Sequence, residues 1–268
     1  MSTRISRMRS PRNTKNAKEP RDQPFDRALA MLSALASTAR PASITELAAL
    51  CAVPVPTAHR IAGQLEARGL VKRALGSKKF LVGPAMVQLA AATTEAAVRS
   101  DRVHGILVAL AAKLGEPCQI GVRAGNEVVY VDTVRAARSA GLHFEQGRRA
   151  PIHCTSIGKI FLAEMPDAEF DLWLHSTELP RLTPATIVSA RKIKAIVKDA
   201  RRNGWAASNE EFAPGVVGCA VPIRLPNGSL IAGLGISVPS ARASFAQVKA
   251  HVPLLQRVAR EIGTGVLE

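Results

Sequence analysis

Four cysteines in 268 residues, Cys51, Cys118, Cys154 and Cys219, stand far apart and form no CxxC pair. That spacing offers no zinc-ligand set and no disulfide framework, so no metal site and no cofactor is expected. The four read as reduced, mostly buried small residues. Long apolar runs are missing as well: no stretch has membrane-spanning length. The basic N-terminus lacks the apolar core of a signal peptide, and the expectation is a cytoplasmic protein with no membrane partner. Internal repeats are absent. Acidic residues are scarce, 21 against 36 Lys and Arg, for a formal charge of +15. Such an excess attracts polyanions, nucleic acid first and an acidic membrane surface second, and does not specify a fold. What is present is apolar substance: 47% hydrophobic residues over a length that accommodates two domains.

The most organised stretch is Ser43 to Gly69. Ser43 with Glu46 three residues on is a capping-box pattern, and Ile44, Leu47, Ala48 and Cys51 then share one helical face. Ala52-Val53-Pro54 breaks the run, and a second helix is predicted from about Val55 to Arg68. Its apolar stripe is Ala58, Ile61, Ala62 and Leu65. The opposite side carries Pro56, Thr57, Arg60, Gly63, Gln64 and Ala67, a flat face with Arg60 and Gln64 near its middle. A helix of that kind enters the major groove, where Arg pairs with guanine and Gln with adenine. Two packed helices with an ordinary polar outer face are the competing reading. The candidate DNA-contacting residues here are Ser43, Thr45, Val55, Pro56, Thr57, His59, Arg60 and Gln64.

The flanks favour DNA. Residues 1–24 form a basic arm expected to be disordered, with Arg4, Arg7, Arg9, Arg12, Lys15, Lys18 and Arg21; general phosphate attraction is its expected role. Phe25 to Thr38 reads as a helix with Leu29, Leu32, Leu35 and Ala36 inward and Phe25 and Met31 bordering them. After Gly69, two short apolar runs around Gly76-Ser77 read as a hairpin wing. Its Lys72, Arg73, Lys78 and Lys79 are placed to meet phosphates, the alternative being a solvated hairpin. Residues 25–83 are thus expected to be a winged helix-turn-helix domain. Residues 84–100 are an alanine-rich linker helix whose Met86, Leu89, Ala90, Thr93 and Ala97 form a candidate dimer seam.

Residues 101–268 change character. A helix over Arg102 to Leu114 precedes strands at Cys118 to Arg123 and Val128 to Val131, turned at Gly125-Asn126. Ala140 to Glu145 is a candidate third strand. Helices follow at Thr155 to Glu164, Asp167 to Leu174 and Thr186 to Asn203. Later strands are Ala206 to Glu210, Val216 to Leu225 and Ser229 to Val238, with Pro226-Asn227-Gly228 turning the last pair. One closing helix spans Ser244 to Gly263, with Val248, Val252, Leu255, Val258 and Ile262 inward. Meander strands with segregated helices predict an α+β sensor domain.

The chain resembles the IclR (isocitrate-lyase-regulator) family of bacterial transcriptional regulators over about Phe25 to Gly263. The resemblance rests on Val55-Pro56-Thr57-Ala58-His59-Arg60-Ile61, Gly69-Leu70-Val71 and Phe80-Leu81-Val82-Gly83. It continues through His153 to Ala163, Leu182 to Ile187, Asn203-Gly204-Trp205, Glu210-Glu211, Pro214-Gly215-Val216 and Ala220 to Ile223. It implies a winged helix-turn-helix joined to a GAF-like effector-binding domain. It also implies a dimer or dimer of dimers on double-stranded operator DNA, with a small-molecule effector.

Thr155-Ser156-Ile157-Gly158-Lys159 opens a helix, and a helix N-terminus with free N–H groups suits a carboxylate. Thr155, Ser156, Ile157 and Gly158 at that helix start are candidate effector-binding residues, and the resemblance adds Ser208, Gly218, Cys219, Gly235 and Ser237. Gly218 and Gly235, where some relatives carry polar side chains, suggest a bulkier ligand, an aromatic acid. Lys159 stands open between a solvated helix lysine and a part of the site. Glu210-Glu211 is expected to make structural hydrogen bonds. A thiol enzyme is the main alternative, but His153 and Cys154 are adjacent in an extended segment and point apart, and no orienting residue is visible. Gly233-Leu234-Gly235 lacks the third glycine of a dinucleotide fingerprint, its position holding Val238. A basic nucleic-acid-binding protein without sequence preference would explain the charge but not the wing and sensor halves.

Overall fold

The computed structural model describes residues 24–38, 40–136 and 145–266. The basic arm over residues 1–23 and most of the candidate strand at Ala140 to Glu145 lie outside them. The chain divides into two compact units, 1–90 and 91–268.

The first unit opens with α1 (Pro24–Thr38), α2 (Ile44–Leu50) and α3 (Val55–Ala67). The stripe of α1 is rotated from the expected one: Met31 and Leu35 are buried, while Phe25 and Leu29 are exposed. Met31, fully buried in one cluster with Leu47, Ala58 and Ile61, fixes the face that turns inward. Ser43 caps α2 with its hydroxyl on the Glu46 N–H, and Glu46 accepts from the Ser43 N–H at 2.7 Å. Cys51 caps the other end, and Ala52 turns the chain with φ 52. Ala58, Ile61, Ala62 and Leu65 of α3 are buried together, as their spacing predicts. The wing is β1 (Val71–Arg73) paired antiparallel with β2 (Phe80–Val82). Phe80 also bridges to Ala42, which ties the wing to the start of α2.

Helix α4 (Pro84–Val98) buries only Val98; Met86 and Ala97 are partly covered and Leu89 is exposed. In the second unit, α5 (Asp101–Leu114) runs from its Ser100 cap to Gly115, at φ 68. One six-stranded antiparallel sheet follows, in the order β5-β4-β3-β8-β7-β6. Its strands are β3 (Cys118–Ala124), β4 (Glu127–Val134), β5 (Arg149–Pro151), β6 (Ala206–Asn209), β7 (Val216–Arg224) and β8 (Leu230–Pro239). The strand beside β4 is Arg149–Pro151, a segment sequence reading did not single out.

Helices cover both faces of this sheet, a correction to the segregated arrangement. Side chains alternate along a strand, and here both alternating sets are apolar. Cys219, Val221, Leu234 and Ile236 pack toward α5, α9 (Phe245–Lys249) and α10 (Val252–Gly265). Val128, Tyr130 and Ala220 pack toward α6 (Ser156–Glu164), α7 (Asp167–Ser176) and α8 (Ala190–Asn203).

Two helix boundaries differ from expectation for stated reasons. Helix α8 starts at Ala190 because the Thr186 hydroxyl is engaged elsewhere, accepting from Thr183 N–H and donating to the Glu211 carbonyl at 2.7 Å. The closing helix is two helices because Pro253 has no N–H to extend α9, so α10 restarts with proline in its first turn.

Candidate functional sites, in the helix-turn-helix and beneath α6

On α3, the side away from the core is open. Pro56, His59, Arg60 and Gln64 are exposed, Val55 is 39% exposed and Thr57 is partly so. A Cβ built at Gly63 would meet nothing within 4 Å, so the face is flat at its centre. Thr45 is exposed on α2, whereas Ser43 is occupied by capping. Lys72, Lys78 and Lys79 are exposed on the wing. Arg73 is exposed too, and it pairs with Glu66 at 3.2 Å and lies over the Phe80 ring at 4.9 Å.

In the second unit, Thr155 caps α6 by accepting from the Gly158 N–H at 3.0 Å. The N–H groups of Ser156 and Ile157 then have no acceptor within the helix. Beside them lies a cavity of about 30 Å³ lined by Tyr130, Thr155, Ser156, Ser208, Phe212, Ala213, Val216, Gly218 and Ser237. A water needs roughly 10–15 Å³ on the same measure. The cavity, partly open to solvent, therefore holds only a couple of waters, and burying a larger guest there requires its wall to move.

Five of the nine expected effector residues, Thr155, Ser156, Ser208, Gly218 and Ser237, line that cavity together. The Ser208 hydroxyl donates to the Cys154 carbonyl at 3.0 Å, and the Ser237 hydroxyl lies 3.5 Å from Gln119 Oε1. The other four are placed differently. Cys219 is on the opposite face of the sheet, its thiol directed at the Val248 carbonyl. Gly235 is covered by the Ile157 side chain, which also rests on Gly121 and Gly233. A Cβ on Gly158 would lie 2.2 Å from the Ile152 carbonyl oxygen, so that glycine lets α6 close on the preceding chain. Gly218 faces the Ile236 carbonyl, 2.6 Å from a built Cβ. These glycines answer to protein packing. Sequence reading missed Tyr130, Phe212, Ala213 and Val216. The sole tyrosine of the chain on an apolar strand was a usable signal; Phe212 carried none, because a connection brings it in.

That connection, between β6 and β7, is fixed from beneath. Lys159 donates to the Ala207 carbonyl at 2.9 Å and to Glu211 Oε1 at 2.5 Å, with side chains 3% and 5% exposed. Burial pulls the Lys159 ammonium below its ordinary range, and Glu211 pulls it back. Lys159 is thus neither solvated nor in the cavity: it anchors the residue before Phe212. Glu211 is structural, as expected, with Thr183 and Thr186 holding its neighbourhood. Above the cavity, the Arg148 guanidinium lies over the Phe212 ring at 4.9 Å.

The thiol chemistry has no support in this geometry. Burial pushes Cys154 up to about 12, its Sγ faces the Pro151 carbonyl, and His153 Nε2 meets the Pro180 carbonyl. Among the described residues no group of three or more His, Cys, Asp or Glu could hold a metal ion, and no helix is long and apolar enough to cross a membrane.

Comparison with known proteins agrees with both halves. The IclR helix-turn-helix domain matches residues 25–74, and the bacterial transcriptional regulator IclR C-terminal domain matches residues 90–264. The probable transcriptional regulator SauR of Cupriavidus necator is 31% identical over 88% of this chain and 94% of its own. The Thermotoga maritima IclR structure superimposes with a TM-score of 0.57 at 26% identity, covering 90% of this chain and 98% of that one. The inducer-binding domain of an Acinetobacter PobR double mutant, in complex with 3-hydroxybenzoic acid, gives 0.57 at 27% identity over 61% of this chain and 96% of its own. The relatives are regulators rather than enzymes, and this chain belongs to the IclR family of bacterial transcriptional regulators.

Proposed function

We propose that this DNA-binding regulator is sequence-specific and ligand-responsive, and that its effector is a small organic acid, with an aromatic monocarboxylate favoured. The observation that carries the effector reading is the α6 N-terminus opening beside Tyr130 and Phe212 in one cavity. Two free N–H groups and the positive end of α6 suit a carboxylate, and the two rings suit a flat apolar body. The PobR relative's 3-hydroxybenzoic acid supports the same class. An aromatic acid enters only if the Phe212–Val216 wall moves outward. DNA affinity then responds if ligand binds the competent and incompetent arrangements differently.

On DNA, Arg60 and Gln64 read bases while Lys72, Lys78 and Lys79 hold phosphates, with Thr45, Val55, Pro56, Thr57 and His59 around them. A cytoplasmic dimer or dimer of dimers places recognition helices about one DNA turn apart on a near-palindromic operator. The test is a thermal-shift screen of small carboxylates and hydroxylated benzoates, since a native-state binder raises Tm. Ser156→Pro is its companion: proline is tolerated at the first helical position and removes one donor. The variant should keep its fold and bind the hit at least about tenfold more weakly, a loss on the scale of one hydrogen bond to a charged group. Undiminished binding would move the carboxylate elsewhere.

A further inference from the structure

Helix α8 carries six basic residues and one acidic, a net of +5 in 14 residues. Its buried face is narrow: Ile193, Val197 and Ala200. At 100° per residue, Arg191, Lys194, Lys198 and Arg202 fall on one line opposite that stripe. All four are exposed. They make a ridge about 16 Å long. Asp171 meets Lys194 at 2.7 Å and Asp199 meets Arg202 at 2.7 Å, both pairs about half exposed, so these contacts are weakened by solvent. Arg191 and Lys198 have no acidic partner among the described residues. Arg201 is turned inward to the Ala163 carbonyl and to Asp167, outside the ridge.

We propose that this ridge of α8 is a second phosphate-binding surface, which holds duplex DNA outside the contacts made by α3 and the wing. Its chemistry is that of a polyanion site: exposed guanidinium and ammonium groups in a row, with no large apolar side chain exposed on the helix to select a shape. DNA is the occupant because the helix-turn-helix already brings the chain to a phosphate backbone, which raises the local concentration of phosphate around every other part of the molecule. A second copy of the chain meeting this ridge with its own ridge would set like charges together.

The test measures binding of the full chain to a random-sequence duplex of about 60 base pairs across a salt series. The variant carries Arg191→Gln, Lys194→Gln, Lys198→Gln and Arg202→Gln. Being exposed, the four changes should leave the melting curve unchanged. A control variant removes equal charge from the layer on the other side of the sheet, with Arg102→Gln, Lys113→Gln, Arg257→Gln and Arg260→Gln. The α8 variant should lower the slope of log K against log salt by about two to four, near 0.9 per lost phosphate contact. The control should lower it by less than one such contact. An unchanged slope in the α8 variant overturns the proposal and leaves the ridge to solvent or to an acidic protein. Equal losses in both variants also overturn it, because net charge alone would then be acting. Arg60→Ala separates this surface from the recognition helix, since it changes base preference and leaves the α8 contribution to the slope in place.

Discussion

Lys159 carries its ammonium into the interior and meets a carboxylate 52 positions further along the chain. Removing one partner of such a pair strands the other, at a cost of roughly 3–5 kcal/mol. Lys159→Met should therefore destabilise the second unit by about that amount in denaturant unfolding, and Lys159→Met with Glu211→Gln should recover much of the loss. Recovery distinguishes a charge left alone from a packing defect. None of this was legible in the sequence, where a lysine in the first turns of a helix reads equally as solvated. The thiols were legible. Burial pushes Cys118, Cys154 and Cys219 up to about 12, so in the native protein an alkylating reagent should modify Cys51 first and leave the other three intact over the same period. Mass spectrometry of the labelled protein checks the order.

Elements were most readable where their own residues determine them. The capping box of α2 is one case, because donor and acceptor lie three residues apart. The Ser43 backbone N–H and hydroxyl, then Arg40, hold Glu46 down to about 2 from an ordinary 4.5. A carboxylate depressed in the folded state stabilises above its unfolded value, and that contribution is lost as pH falls from about 4.5 toward 2. The Tm difference between the natural chain and Glu46→Ala should thus be present at neutral pH and vanish at the acidic end of that window. The turn that follows is less comfortable: Ala52 sits in the left-handed region. Ala52→Gly relieves that geometry at some entropic cost, for a net gain of about 0.5–1 kcal/mol in unfolding free energy. Elements that depend on distant partners were not readable. Thr186 looks like a helix residue until Glu211 claims its hydroxyl, and the rotation of α1 depends on what Met31 meets.

At the scale of the molecule, two units each have a core of their own, and every candidate effector residue lies in the second. A bound carboxylate should slow amide exchange around 155–158 and 208–218, whereas DNA should slow it around 55–64 and 72–79. Exchange mass spectrometry with each ligand separately checks that assignment. The β3–β4 and β7–β8 hairpins were legible from their turns, and the pairing of β3 with β8 was not. Coverage of the sheet by helices on both faces was not, because alternate positions on β7 and β8 are small as well as apolar, and small residues do not reveal which neighbour they admit.

Ile157 shows what those small residues do. Its side chain lies on Gly121, Gly233 and Gly235, and a Cβ on any of them would come within about 2.7–3.3 Å of it. A methyl group added there has nowhere to go except into the helix, and lifting α6 tilts the two N–H groups away from whatever they hold. The glycine seat beneath α6 is consequently closed to larger residues. The direction of the α6 N-terminus is therefore set by three residues that carry no side chain.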